Sequence, residues 1–127
     1  RPTFGNLINI HRGIAEEYRG LDSDLWSIYH NDFENIGVTI HKVDPDLDTG
    51  DISYSQGIVL ANDMKIFQLR YHTTLLAYDL VKQTISDFNN KTPQFRKQNK
   101  IGRYYSSMPI ELKIGLAEKF ENYVQRI

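Results

Sequence analysis

Asn9 and His11 stand two residues apart at the end of a β-branched apolar run, Gly5 to His11. Residues two apart on a strand project to the same side, so an amide and an imidazole would share one crevice. The amide can donate to an oxyanion, and the imidazole can move a proton near neutrality. Ligands gather at the carboxyl ends of strands in open α/β sheets. Taken alone, the pair reads more simply as strand-end side chains that satisfy loop backbone groups. A second cluster is the acidic stretch Asp44-Pro45-Asp46-Leu47-Asp48-Thr49-Gly50-Asp51. Its alternating carboxylates suggest calcium, but an EF-hand loop needs Gly at its sixth position and Glu at its twelfth. Counted from Asp44, those positions are Thr49 and Ser55, and a solvated hairpin loop fits better. A third stretch, Lys91 to Arg103, holds five basic residues and no acid ahead of Tyr104-Tyr105. Lys and Arg neutralise phosphates while aromatics stack on bases, but charge runs usually only solvate a surface. A solvated linker is the simpler reading. His30, His41 and His72 have no partner at metal-ligand spacing, so no metal site is signalled. No P-loop, GxGxxG or GxSxG occurs.

The frame that must carry these groups is small. The chain has 127 residues, 15 Lys+Arg against 16 Asp+Glu, and a formal charge of −1. That suits one domain and gives no overall field for nucleic acid. No apolar run approaches the length of a membrane span, and no charged segment followed by an apolar one opens the chain as a leader. With no cysteine, a disulfide frame, a thiolate zinc site and a Cys nucleophile are excluded. A cytoplasmic location is expected. The chain starts at Arg1-Pro2 and reaches Leu7-Ile8-Asn9-Ile10 almost at once, which suggests a fragment of a longer protein.

Periodicity supplies the elements. Gly5 to His11 reads as a buried strand and Arg12 to Gly20 as a loop. Leu21 to Phe33 has helical spacing, with Asp22 or Ser23 as its cap. Gly37 to Val43 and Ile52 to Ala61 read as strands flanking the acidic loop, with a bulge at Gly57. Eight residues cannot hold a parallel crossover, so this pair should be a hairpin. Asn62-Asp63 should cap a long helix whose stripe is Ile66, Leu69, Thr73, Leu76 and Leu80, widened by Ala77, Val81, Ile85 and Phe88. Asn89 to Arg103 reads as a linker. Pro109 should open a last helix reaching about Arg126, with Ile110, Ile114, Ala117, Phe120 and Val124 as its stripe. The order predicts an α/β fold with a mixed sheet, a β-hairpin and a long packing helix.

In order along the chain, Asn9-Ile10-His11, Tyr18-Arg19-Gly20, Gly37-Val38-Thr39-Ile40-His41 and Leu47-Asp48-Thr49-Gly50-Asp51 resemble the 10-formyltetrahydrofolate-dependent formyltransferase family. Its pattern runs N-x-H-P-S-L-L-P-x-Y-R-G, then G-V-T-I-H, then L-D-T-G. The resemblance covers residues 5 to about 60 and extends over the long helix. It implies the C-terminal part of a Rossmann-like formyltransferase domain. Residues 1–90 would be its folate-binding and catalytic half, and 91–127 a linker and C-terminal helix.

The resemblance implies a catalytic trio of Asn9, His11 and Asp48. An acceptor amine would attack the formyl carbon carried on the folate. Asn9 and a protonated His11 would donate to the developing oxyanion, each such donor being worth ~2.7–4 kcal/mol in acyl transfer. Asp48 would raise the His11 pKa and order a water. Asp44, Leu47 and Asp48 would meet the pterin of 10-formyltetrahydrofolate, and Tyr18, Arg19 and Gly20 the acceptor. No metal is implied. The family's H-P-S-L-L-P becomes His11-Arg12-Gly13-Ile14-Ala15-Glu16 here, which bears on acceptor identity. Family members also carry a further half-domain ahead of N-x-H, so this segment by itself should be inactive. The partners implied are a small-molecule amine and that N-terminal half, with a homodimer left open and no membrane or nucleic acid. The leading acceptor is a nucleotide- or phosphate-bearing amine, of amino sugar nucleotide or glycinamide ribonucleotide type. The alternatives are a formyltetrahydrofolate hydrolase, a methionyl-tRNA formyltransferase and a non-catalytic folate- or nucleotide-binding module.

Overall fold

The computed structural model describes residues 7–127, so Gly5 and Asn6 at the head of the expected first strand lie outside the described residues. The chain runs β1 (Ile8–His11), β2 (Tyr18–Gly20), α1 (Ser23–Tyr29), β3 (Gly37–Lys42), β4 (Ile52–Gly57), α2 (Leu69–Asn89), β5 (Arg103–Tyr105), α3 (Ile110–Lys113) and α4 (Leu116–Val124), with 3₁₀ turns at Phe33–Asn35 and Ile66–Gln68. The main sheet has the order β1-β3-β4. Both of its pairings are antiparallel, and the expected hairpin is β3–β4. A parallel pairing joins β2 to β5.

The two-residue period of the strands sorts the sheet into two faces. Val38 and Ile40 pack on Ala77 and Leu80 of α2, with Ile8 and Tyr54 beside them. Cross-strand partners share a face. Asn9 lies opposite His41 and His11 opposite Thr39, so these four occupy the side away from α2. The same apolar packing that fastens α2 thus presents a polar row on the reverse of the sheet. α2 buries Leu69, Thr73, Ala77, Leu80 and Thr84, a helical stripe. A second core joins Ile28 of α1, Phe33, Ile36, Met64 and Leu69 to Met108, Leu116, Phe120 and Val124. Residues after 107 therefore close over α1.

Several boundaries differ from expectation. β4 stops at Gly57 rather than Ala61, because Gly57 faces Gly37 and β3 begins there. The irregularity lies between Ile40 and His41, not at Gly57. The long helix starts at Leu69 rather than after Asn62-Asp63. Met64 N–H closes a turn on the Ala61 carbonyl, and Lys65 is extended, which breaks helical continuity. Asp22 stands at the N-cap of α1 in the left-handed region without capping it; its carboxylate accepts Met108 N–H at 2.9 Å instead. The end of the expected loop 12–20 pairs as β2 with part of the expected linker. The single last helix is split at Gly115, whose φ of +83° a glycine adopts without the Cβ penalty. Ile110 and Ile114 are consequently exposed, while Leu116, Phe120 and Val124 carry the packing.

Candidate active site

His11 closes β1 with its ring buried. Its Nε2 lies 2.7 Å from the Tyr18 carbonyl. A carbonyl only accepts, so the Nε2 proton is committed there and Nδ1 is the ring's free position. That nitrogen faces Asp48 Oδ2 at 3.5 Å. The chain passes directly over the ring: a Cβ on Gly13 would stand 2.7 Å from His11 Nε2 and 2.5 Å from Ser23 Cβ. Thr39, opposite His11, holds this passage by donating to the Gly13 carbonyl at 2.7 Å and accepting Ala15 N–H at 3.0 Å.

Asp48 arrives from the hairpin loop. Its backbone is left-handed, φ +59°, and its buried carboxylate accepts Gly20 N–H at 3.0 Å. On its far side Oδ1 meets His41 Nε2 at 3.3 Å, without a formed hydrogen bond but close enough for an ion pair. His41 Nδ1 donates to the Lys42 carbonyl at 2.8 Å. Gly50 is required next to this pair, because a Cβ there would run into the Lys42 carbonyl oxygen.

One carboxylate between two imidazoles divides their titrations. Burial pushes His11 below its ordinary value, and the nearby Asp48 charge does not offset it. Asp48 acts on His11 in the expected direction, but desolvation of the cation is the larger effect and leaves the net pKa lowered. Burial also lowers His41, but there contact with Asp48 and the Lys42 carbonyl prevails, and its pKa is raised. Asp48 is pushed up by burial and held down more strongly by His41, Gly20 N–H and His11, so it stays ionised with a lowered pKa. Near neutral pH the set is a neutral His11, an anionic Asp48 and a His41 biased toward its cation.

His41 is the member that residue spacing missed. Considered for metal ligation it had no partner, yet strand pairing puts it on the face of Asn9 and His11. Asn9 is exposed on that face, one residue pair from His11. Asp44 structures its own loop, with Oδ1 accepting from Asp46 N–H at 3.0 Å and Thr49 Oγ1 at 3.1 Å. Leu47 is half exposed beside Asp48. Tyr18 is buried, and its hydroxyl donates to Asp32. Arg19 donates to the Gly102 and Leu47 carbonyls at 2.6 and 3.1 Å. Gly20 contributes its N–H to Asp48 and lines the cleft.

That cleft encloses about 490 Å³ and is walled by His11, Asp48, Gly20, Ile10, Leu47, Arg12, Arg70 and Thr73, among others. Arg12 is fixed across it, donating to the Arg70 carbonyl at 3.2 Å and Thr73 Oγ1 at 3.0 Å. Buried polar groups beside half-exposed apolar ones are the usual makings of a small-molecule site.

A family model described as formyl transferase matches residues 3–76. The methionyl-tRNA formyltransferase of Finegoldia magna is 29% identical over 107 residues, covering 80% of this chain and 34% of that protein. That of Caldicellulosiruptor saccharolyticus is 31% identical over 114 residues, covering 90% of this chain and 35% of that one. The chain thus spans about a third of these curated relatives. Among solved structures, a 4-N formyltransferase from Francisella tularensis is similar at a TM-score of 0.69 and 29% identity, over 78% of this chain and 40% of its own. An N-formyltransferase from Helicobacter canadensis in complex with folinic acid and dTDP-3-aminofucose is similar at 0.69 and 29%, over 79% of this chain and 37% of its own.

Proposed function

The chain belongs to the formyl transferase family, and from that premise we propose that the protein carrying it transfers a formyl group from 10-formyltetrahydrofolate to the primary amine of a small nucleotide- or phosphate-bearing acceptor. The observation that carries this reading is the buried His11–Asp48–His41 set at the wall of a cleft, with Asn9 on the same sheet face. The folate supplies the formyl carbon. Its fused ring suits the rim where half-exposed Ile10 and Leu47 flank buried Asp48, since apolar walls with a few fixed polar groups hold planar heterocycles.

The roles of the side chains follow from their free atoms. The Asn9 amide, exposed on the same sheet face as His11 but outside the cleft wall, would swing in to donate to the formyl oxygen as negative charge develops there. Neutral His11, with Nε2–H engaged on Tyr18, accepts the proton of the attacking amine at Nδ1. The imidazolium so formed lies beside Asp48, whose charge stabilises it, and would return that proton to the folate nitrogen as the formyl–nitrogen bond breaks and tetrahydrofolate leaves. His41 keeps Asp48 ionised until that moment. Two titratable rings with their pKa values pushed apart are a usual mark of an acid–base site.

An amino sugar nucleotide is the favoured acceptor, supported by the likeness to the Helicobacter enzyme that holds such a molecule together with folinic acid. The methionyl-tRNA formyltransferases among the relatives support an aminoacyl-tRNA acceptor as the second reading. The deciding assay uses the longest polypeptide that carries these residues, a 10-formyl folate analogue and a panel of amines. Amine-dependent release of deformylated folate is expected. Release that ignores the amine but vanishes in His11→Ala would make the protein a folate hydrolase. Folate binding without release would overturn the transfer reading.

A further inference from the structure

The basic stretch 91–103 takes no part in the proposed reaction and does not line the cleft, yet it is fastened as a strap along the loop that carries Asp48. It is not the solvated linker its composition suggests. Arg96 donates to both Glu16 carboxylate oxygens, at 3.0 and 2.8 Å, and exchanges two backbone hydrogen bonds with Ile52. Asn99 N–H also reaches Glu16, and Lys100 pairs with Glu17. The Gly102 carbonyl accepts from Arg19. Between these anchors Gln98 turns inward. Its Nε2 donates to the Asp48 carbonyl at 2.8 Å and the Gly50 carbonyl at 3.1 Å. Those two carbonyls bracket the turn that carries the Asp48 side chain.

Resting on the reading of Asp48 as a member of the active site, we propose that Gln98 is a positioning residue, clamping the 48–50 turn so that the Asp48 carboxylate sits between His11 and His41. The clamp is needed because the loop's own hydrogen bonds, from Asp46 and Thr49 to Asp44, do not reach the Asp48 and Gly50 carbonyls. Asp48 occupies the left-handed region at φ +59°, which L residues with a side chain adopt at a cost. At Gly50 the backbone approaches the Lys42 carbonyl too closely for any Cβ. A primary amide offers two N–H groups on one atom, and here each meets one carbonyl. The Gln98 Oε1 is buried without a partner, so the side chain's polar contacts are those it makes to the turn. Loss of the clamp frees the turn to relax and carries the carboxylate away from both rings.

The test is the titration of the His41 and His11 rings by NMR in the full polypeptide. Burial lowers His41, while Asp48 foremost, the Lys42 carbonyl and Asp44 raise it. Lys42 lies in β3 outside the clamped turn, whereas Asp44 is tied to that turn through Thr49, so both carboxylates depend on the clamp. In Gln98→Ala the His41 midpoint should fall by about one pH unit, because opposite charges within a few ångströms shift a pKa by ~1–3 units. Gln98→Met, which fills the volume without donors, should do the same. Lys100→Ala removes an exposed ion pair of the same strap and should leave His41 where it is. In the transfer assay kcat should drop about tenfold in both Gln98 variants, since small misplacements cost this much, with little change in KM for the folate. An unchanged His41 midpoint in a folded Gln98 variant overturns the proposal. Loss of folding in both variants also overturns it, for the role would then be structural. If the His41 shift appears while the wild-type protein transfers no formyl group, the clamp stands and the proposed reaction falls.

Discussion

Asp48→Asn tests the electrostatic logic of the site with the least disturbance of its shape. Asn is nearly isosteric, tolerates the left-handed backbone at this position, and keeps an oxygen for Gly20 N–H. What disappears is one negative charge, 3.3 Å from His41 Nε2 and 3.5 Å from His11 Nδ1. All three side chains are buried, so screening by solvent is slight. At such separations a carboxylate raises a histidine pKa by ~1–3 units, and each unit is worth about 1.4 kcal/mol. His41, now raised, should fall once burial is opposed only by the Lys42 carbonyl and Asp44. His11 should drop further still. In the wild type the raised His41 stabilises the fold below pH 6.5, and that contribution is lost as pH rises through its folded value. The depressed Asp48 stabilises above its unfolded value of 3.8, and that contribution is lost as pH falls through its folded value. The stability gap between wild type and Asp48→Asn should therefore be widest between pH 3.8 and 6.5, at about 1.5–3 kcal/mol, and close as pH passes the folded-state value on either side. Urea unfolding across the acid-to-alkaline range, with NMR titration of both rings, measures it. A gap that stays constant with pH, or a His41 midpoint that does not move, would falsify the assignment of Asp48 as the shared counter-charge.

Two further substitutions probe the passage over His11. Thr39→Val keeps the volume but removes the hydroxyl that serves both the Gly13 carbonyl and Ala15 N–H. Two buried backbone groups then go unsatisfied, and the unfolding free energy should fall by about 2–4 kcal/mol; an unchanged denaturation midpoint would count against this. Gly13→Ala forces a methyl to within 2.7 Å of His11 Nε2 and should cost about 1–3 kcal/mol as an overpacked site. It should also push the ring off the Tyr18 carbonyl, seen as a changed His11 Nε2 shift and a lost transfer rate; wild-type values for both would show that the passage is looser than it looks.

Elements with their own period were legible in the sequence. Alternation in 37–42 and the turn-forming residues of 44–51 predict the β3–β4 hairpin, and α2 follows from apolar residues at helical spacing. The ends of elements were not, because distant partners set them. β4 stops where β3 begins, and Lys65 holds off the helix until Leu69. Asp22 has the composition of a cap, yet its carboxylate is taken by Met108, 86 residues away. The amphipathic pattern of 109–126 is genuine, but Gly115 divides it and rotates the buried side toward Leu116, Phe120 and Val124.

The same distinction runs through the site and explains its division of labour. Asn9, His11, Thr39 and His41 sit on paired strands whose opposite face is locked on α2. A one-residue slip of either strand would turn the polar row into the core, so the packing of Val38 and Ile40 itself sets the spacing of the two rings. Asp48 has no such protection. It rides on a loop, and its place depends on Gly20 N–H from β2, the Gly50 approach to Lys42, Arg19 on the Leu47 carbonyl, and Gln98 from 50 residues downstream. Residue type gives no hint of such contacts: Gln98 sits in a basic run whose composition reads as solvated. The two rings share one carboxylate yet are moved in opposite directions, a difference of burial and neighbours that appears only when the strands pair and the strap is fastened along the Asp48 loop.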